Sequence, residues 1–178
     1  MKTILVSSRT LHAACEKGDM VSLMHHLENG GKVNERKANG YFPLGAASNK
    51  GHTSIVKILL ENGARINMKS KYGWTPLYIA ANRGYTNVVD VLLQYSPLLN
   101  TTTISGWNSP NKYTPLHIAC KKGYYEIVKL LIGSGAKINP KNGDNETPID
   151  LAILHRRYKI ACYLALQGGK PAVQKHFV

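Results

Sequence analysis

The side chains best suited to covalent chemistry are the three cysteines, Cys15, Cys120 and Cys162. Nucleophilic catalysis needs a cysteine or serine brought together with a base and an orienting group. Cys15 and Cys120 end the alanine-rich stretches "HAAC" and "HIAC", which suit closely packed helices, so we interpret both as core residues. No motif surrounds Cys162. An odd number of cysteines without a CxxC pair argues against a disulfide framework or a zinc site and favours reducing surroundings.

The histidines and carboxylates form no evident metal site or acid–base pair. His25 and His26 are adjacent, so on a helix their side chains point in different directions and make a poor metal pair. We interpret Asp144, Glu146 and Asp150 as a polar cap rather than as a cation site or a general base. The phosphate-binding patterns GxxxxGK[ST] and GxGxxG are absent. We therefore expect a protein that is not an enzyme and that uses no cofactor and no metal.

These residues belong to a sequence that repeats itself. Leu116 of "TPLH" has counterparts in Leu11, Leu44, Leu77 and Ile149, with spacings of 33, 33, 39 and 33 residues. A second marker closes four of the units, in the forms "GKVN", "ARIN", "LLN" and "AKIN". A repeat of this length indicates a stack in which each unit is one supersecondary element.

The pattern inside a unit predicts two helices and a turn. Proline after threonine suits the first turn of a helix, and a glycine such as Gly84 ends that helix. A second helix follows, as in residues 125–132, where apolar side chains share one face. The remaining residues predict a turn or hairpin. Arg156 stands where the other units have the first glycine, so it must adopt a left-handed conformation unless the helix continues.

The unit resembles the ankyrin repeat, whose T-P-L-H-x-A signature is matched letter for letter by residues 114–119. The resemblance covers about residues 8–170 and implies an all-α repeat fold, a curved solenoid of stacked helix–turn–helix units with projecting hairpin loops. We expect a single domain over residues 1–178, with a short tail at 171–178. Its five units are residues 8–34, 37–67, 70–100, 109–139 and 142–170.

The resemblance also implies a role for the histidine of the signature. In the family this side chain braces its own turn by hydrogen bonding. His12 and His117 occupy that position. We therefore expect both to be structural.

Six extra residues lie between units 3 and 4. The step from Asn100 to Thr114 is 14 residues, whereas the equivalent step from Asn67 is 8. The insertion predicts an extended finger at residues 101–112 that carries Trp107. An exposed tryptophan on a loop is a candidate anchor for a partner, but Trp107 could equally fold back over units 3 and 4.

The chain is strongly basic, with 23 Lys and Arg against 10 Asp and Glu and a net charge of +13. The residue before the first glycine of each unit is Lys17, Lys50, Arg83 and Lys122, with His155 in unit 5. Units stacked about 10 Å apart would turn this column into a ladder of cations on the concave face. The ladder suits an acidic ligand, although a cation at a helix C-terminus also simply complements the helix dipole.

The candidate binding residues follow from the places that the family uses. There, ligands usually meet the hairpin tips and the exposed side of the first helix, and aromatic side chains beside arginine are typical of binding hot spots. The candidate protein-binding residues are Tyr41, Lys50, Lys71, Tyr72, Trp74, Arg83, Trp107, Tyr113, Lys121 and Lys122.

We therefore expect a non-catalytic protein–protein interaction module, such as a regulator, an adaptor or a host-directed effector, that binds an acidic protein partner. The alternative is a nucleic-acid-binding protein that uses the same cationic face, since phosphates favour cations and aromatic side chains can stack on bases. No stretch is long and apolar enough to span a membrane. We expect an intracellular monomer in the cytoplasm or nucleus, or in the cytosol of a host cell if the protein is exported.

Overall fold

The computed structural model describes residues 8–38, 40–104 and 112–172, and within them it contains ten α-helices and no β-strand. The all-α repeat fold is therefore confirmed. The helices form five consecutive pairs, which are α1 (Leu11–Lys17) and α2 (Met20–Glu28), α3 (Pro43–Lys50) and α4 (Thr53–Glu61), α5 (Pro76–Arg83) and α6 (Thr86–Gln94), α7 (Pro115–Lys122) and α8 (Tyr125–Gly133), and α9 (Pro148–Leu154) and α10 (Tyr158–Leu166).

The first helix of a unit begins and ends at the residues that the sequence pattern indicates. In α5 the Thr75 side chain accepts a hydrogen bond from the Tyr78 N–H, and Pro76 is the first helical residue. The helix ends at Gly84, whose φ of +82° is left-handed. A Cβ at Gly84 would also lie 2.7 Å from the Tyr124 ring of the next unit. Glycine is needed there for both its conformation and its size.

Unit 5 keeps the left-handed conformation without glycine. Helix α9 ends at Leu154, and Arg156 has a φ of +57°. The Arg157 N–H then donates to the Ala152 carbonyl, which closes the end of the helix. Of the two outcomes expected for Arg156, the left-handed conformation is the one observed. It places a side chain where steric repulsion opposes this conformation.

The core runs through the whole stack. The first helices pack in chain order from α1 to α9, and α4, α6, α8 and α10 form a second row beside them. Four leucines occupy the same position in units 2 to 5 and are fully buried; they are Leu59, Leu92, Leu131 and Leu164. Each unit thus supplies part of a continuous apolar core that no unit could build alone.

Asparagine side chains connect neighbouring units. The carboxamide oxygen of each accepts a hydrogen bond from a backbone N–H of the following unit, 2.7–2.9 Å away. The pairs are Asn34 with Arg65, Asn67 with Leu98, Asn100 with Lys137, and Asn139 with Lys170. Ala172 occupies the next position of this series. Each bond stabilises the fold by about 1 kcal/mol, so the four asparagines set the register between units.

The connections between units share one backbone hydrogen bond across the base of a hairpin. Its pairs are Lys37 with Tyr41, Ser70 with Trp74, Thr103 with Tyr113, and Asn142 with Glu146. The third pair is ten residues apart instead of four, so the six extra residues lie inside that hairpin. The Ile104 N–H also donates to the Tyr72 carbonyl, which joins the third hairpin to the second. Trp107 and most of the predicted finger lie outside the described residues.

Candidate protein-binding face

The cysteines are placed for packing rather than for chemistry. Cys15 and Cys120 have no exposed surface, which confirms their interpretation as core residues. Desolvation raises the pKa of Cys15 to about 12 and raises that of Cys120 as well, so neither forms a thiolate near neutral pH. Cys162 is exposed, and all three thiols are free.

His117 braces the start of α7 as expected. Its Nδ1 accepts a hydrogen bond from the Thr114 N–H at 3.2 Å, and its Nε2–H donates to the Glu146 carbonyl of the next unit at 3.2 Å. The side chain is fully buried, and desolvation lowers its pKa to about 4. A neutral imidazole is therefore part of both the turn and the contact between units.

The same role was wrongly predicted for His12. Thr10 caps α1 by accepting a hydrogen bond from the Ala13 N–H, and it stands where Pro115 stands in unit 4. Helix α1 consequently starts one position later in the repeat, and His12 is too close to the cap to bond back to it. Both ring nitrogens of His12 are buried without a hydrogen-bond partner among the described residues. Desolvation lowers its pKa, and so does Lys37.

The acidic cluster serves as a polar cap, as its interpretation expects. The Asp150 carboxylate accepts hydrogen bonds from the Thr147 N–H and hydroxyl at the start of α9 and from the Ala172 N–H. The Glu146 carboxylate accepts one from the Asn142 side chain. In the part of the chain that the structure describes, no group of three or more His, Cys, Asp or Glu is arranged to hold a metal ion. Nor does any helix within these ranges have the length and hydrophobicity required to cross a membrane.

Four of the predicted binding residues meet in one cleft between units 2 and 3. This unit 2–3 cleft lies on the first-helix face, which we define as the surface formed by the first helices and the hairpins. Its polar lining residues and its exposed or partly exposed aromatic ones are Tyr41, Asn49, Ser70, Tyr72, Trp74 and Arg83. The remaining lining residues are the buried Phe42, Gly45 and Ile79, and no carboxylate lines the cleft. It therefore presents aromatic rings beside a single guanidinium group.

Hydrogen bonds hold this lining in place. The Arg83 Nε–H donates to the Asn49 side-chain oxygen of the preceding unit at 2.8 Å, which orients the guanidinium group. The Ser70 hydroxyl accepts from the N–H groups of both Tyr72 and Trp74 at 3.2 Å. The sequence analysis did not identify Ser70, although a serine in a turn commonly bonds to the backbone two residues later.

The aromatic side chains form a continuous cluster. The ring centroids of Tyr72 and Trp74 are 5.2 Å apart, and those of Trp74 and Tyr78 are 5.9 Å apart. Lys71 Nζ lies 4.8 Å from the centre of the Tyr72 ring. The Trp74 indole N–H is buried and has no hydrogen-bond partner in the described segments. An unsatisfied donor of this kind destabilises a protein by about 1–3 kcal/mol.

The other predicted residues are more dispersed, and their exposure differs. Lys50 and Lys122 are exposed. Tyr113 is only 7% exposed, and its hydroxyl accepts a hydrogen bond from Lys121 Nζ at 3.4 Å. Tyr113 thus supports Lys121 from below. The aromatic ring is buried because it stacks on His117, with the ring centroids 5.9 Å apart.

Within the described residues, no cation of this face forms an ion pair with a carboxylate. The two ion pairs within the described residues, Lys57–Glu61 and Lys129–Glu126, each lie within a second helix. Burial lowers the pKa of His155, and Lys121 lowers it further. Helices α7 and α9 pack against each other, which brings Lys121 near His155.

The comparison with known families agrees with the repeat pattern. A family model described as ankyrin repeats (3 copies) matches residues 11–103 and 98–175, which together include all ten helices. No curated protein matches the chain.

Proposed function

The chain belongs to the ankyrin repeat family, whose repeats generally mediate protein–protein interaction, and from this premise we propose that it binds an acidic segment of a partner protein through its first-helix face. The proposal assigns the unit 2–3 cleft as the centre of that contact. Tyr41, Tyr72, Trp74 and Arg83 are its main contact residues.

The proposal rests mainly on which side chains line the unit 2–3 cleft. An exposed arginine held by Asn49 stands beside aromatic rings, and no carboxylate lines the cleft. Because the Arg83 Nε–H is already used, its terminal nitrogens remain to donate two parallel hydrogen bonds to a carboxylate. Arginine and tryptophan are the side chains that most often dominate binding energy.

The aromatic residues supply the apolar part of the contact. Tyr41 is 42% exposed, and Trp74 and Tyr72 are partly exposed, so a partner can bury their remaining surface. A carbonyl or carboxylate of the partner would also satisfy the indole N–H of Trp74 once the ring turns. We therefore expect a partner segment that combines carboxylates with apolar side chains.

The surrounding cations should raise the rate of association with an acidic partner more than they raise the affinity. Lys50, Lys71 and Lys122 are exposed on the same face, and the net charge is +13. A surface of one sign steers an oppositely charged partner and makes the association rate fall with salt. A regulator, an adaptor or a host-directed effector would each use this chemistry in the same way, by holding or blocking a partner.

The test compares two variants of the cleft with a matched control. The immobilised protein is incubated with nuclease-treated lysate, and bound proteins are eluted with rising salt and identified. Arg83→Glu reverses a charge in the cleft, and Trp74→Ala removes the aromatic anchor. Lys57→Glu makes the same change of charge on the second helix α4, at a side chain that is 62% exposed.

We expect an acidic segment of a captured protein, once purified, to bind the native chain and Lys57→Glu with similar affinity. Arg83→Glu and Trp74→Ala should each weaken its binding about 30-fold or more, which corresponds to a hot-spot contribution of about 2 kcal/mol. Unchanged affinity in both cleft variants would show that the cleft is not the binding site.

The nucleic-acid alternative makes a different prediction. Binding of a single-stranded oligonucleotide would fall steeply and linearly with the logarithm of the salt concentration, irrespective of its base sequence. If all captured material disappears after nuclease treatment, nucleic acid replaces protein as the ligand of this face.

A further inference from the structure

A second concentration of positive charge lines a different cleft. Arg36, Arg65 and Lys69 line an open cleft of about 570 Å³, together with residues 66–68. Arg36 follows the second helix of unit 1, Arg65 and Lys69 follow the second helix of unit 2, and all three are exposed. We call this the cation cleft. It shares no lining residue with the unit 2–3 cleft.

The backbone below the cation cleft is held firmly. The Arg65 N–H donates to the Asn34 side chain at 2.7 Å, and the Met68 N–H donates back to the Arg65 carbonyl at 3.1 Å. Asn67 accepts a hydrogen bond from the Leu98 N–H of unit 3. Ile66 and Met68 pack against the core. The long side chains of Arg65 and Lys69 therefore extend from fixed positions.

The charge of the cation cleft is not compensated locally. No carboxylate lines it, and neither of the two ion pairs in the described ranges involves its residues. Glu35 precedes Arg36 in sequence but does not line the cleft. Three positive charges around one concavity produce a potential that concentrates anions there.

The repeat pattern favours a compact anion over a polymer. The position of Arg65 is occupied by Lys32, Lys137 and Lys170 in other units, but by Leu98 in unit 3. A polyanion that lay along this edge of the stack would lose its cationic contact at the middle unit. Around Arg65, cations that follow the second helices of two successive units line one cleft.

We propose that the cation cleft binds a phosphate monoester. A guanidinium group can donate two parallel hydrogen bonds to phosphate oxygens, and the ammonium group of Lys69 adds a point charge. Such a group carries about two negative charges at neutral pH, and the three cations of the cleft can compensate them. It could come from a phosphorylated side chain of a protein or from a small phosphorylated molecule.

The test is a titration of the ¹⁵N-labelled protein followed by the amide NMR signals. The three probes are the blocked tripeptide acetyl-Ala-phosphoserine-Ala-amide, its unphosphorylated form, and glycerol phosphate. We expect saturable shifts at residues 64–69 with both phosphate-bearing probes and none with the unphosphorylated tripeptide. Equal affinity for the two would assign recognition to the phosphate alone, whereas affinity about tenfold higher for the tripeptide would indicate a phosphorylated protein side chain.

Two double variants distinguish binding in the cation cleft from non-specific attraction of the phosphate to a basic protein. Arg36→Gln with Arg65→Gln removes two charges from the cation cleft, and Lys137→Gln with Lys170→Gln removes two from the same edge in units 4 and 5. We expect about a tenfold loss of phosphopeptide affinity in the first pair and little change in the second. All of these side chains are exposed, so the fold should be unaffected.

Three results would overturn the proposal. The first is the absence of saturable shifts, and the second is equal weakening in the two double variants. The third is a decamer of single-stranded DNA that binds more tightly than the phosphopeptide and shifts the amides of units 1 to 5 alike. The first two results do not bear on the unit 2–3 cleft, because the two clefts have no residue in common. The third would also favour nucleic acid over protein as the ligand of the first-helix face.

Discussion

Lowering the pH from about 7.5 to about 5 should destabilise the protein, and His117 should account for most of the effect. The imidazole is fully buried between units 4 and 5, where it accepts a hydrogen bond from the Thr114 N–H. Protonation would remove this acceptor and would place a charge in the core. The folded protein therefore resists protonation at this site, whereas the unfolded chain does not.

The magnitude follows from the two pKa values of this imidazole. Its pKa is about 4 in the folded protein against 6.5 for an unburied histidine. Because the folded value is the lower one, the stabilisation is complete above pH 6.5 and is lost as the pH falls toward 4. Each pH unit in this window costs about 1.36 kcal/mol, so the loss at pH 5 is about 2 kcal/mol.

The assay is urea unfolding followed by circular dichroism at both pH values. The variant is His117→Gln, because glutamine at this position can still complete the capping box with Thr114. We expect the free energy of unfolding of the native protein to fall by about 2 kcal/mol more than that of the variant over this pH range. His12→Gln is the control, and it should keep most of the pH dependence.

Two observations would refute this reasoning. One is an equal loss of stability with pH in the native protein and in His117→Gln. The other is an NMR titration in which the Cε1–H signal of His117 reports a pKa near that of an exposed histidine. Either result would mean that water or protons reach this imidazole in the folded protein.

Three further predictions concern the packing between units. Arg156→Gly should leave the stability unchanged or raise it by about 1 kcal/mol, because it removes a side chain from a left-handed conformation; a large fall in melting temperature would contradict this. Asn100→Ala removes the acceptor of the Lys137 N–H and should lower the free energy of urea unfolding by about 1 kcal/mol, and no loss would mean that water replaces the bond. Lys121→Gln should raise the pKa of His155 in an NMR titration, and an unchanged pKa would place the two groups out of electrostatic reach.

The helices could be predicted from the sequence because their signals are local. Thr75 and Pro76 mark the start of α5 and Gly84 marks its end, and each acts through its own backbone conformation. The same signals recur at a fixed spacing, so the order of packing followed as well. The site of the insertion could be located in the same way, by comparing distances between equivalent residues.

The error at His12 came from a small change of register in the first unit. His12 occupies the position of the signature histidine, but only one residue separates it from the capping residue Thr10. In unit 4, two residues separate His117 from the capping residue Thr114. The burial of Tyr113, whose ring packs against His117, was also not evident from the sequence. The absence of a proline before Leu11 could have indicated that the first helix starts one position later in unit 1.

The cation cleft had no comparable signal in the sequence. Arg36 and Arg65 are 29 residues apart, which is not the repeat spacing of 33, so aligning the units does not bring them together. They line one cleft because successive connections lie side by side in the stack. Only the folded arrangement of units 1 and 2 shows this.

The asparagine hydrogen bonds between units all have the same direction along the chain, which affects how the stack can form during synthesis. In all four pairs the side chain belongs to the earlier unit and the N–H to the later one. During synthesis the N-terminal units leave the ribosome first. Asn34 is thus synthesised before the Arg65 N–H that it binds, and Asn67 before the Leu98 N–H. Once the first units have packed together, each later unit can add to an acceptor that its predecessor already carries.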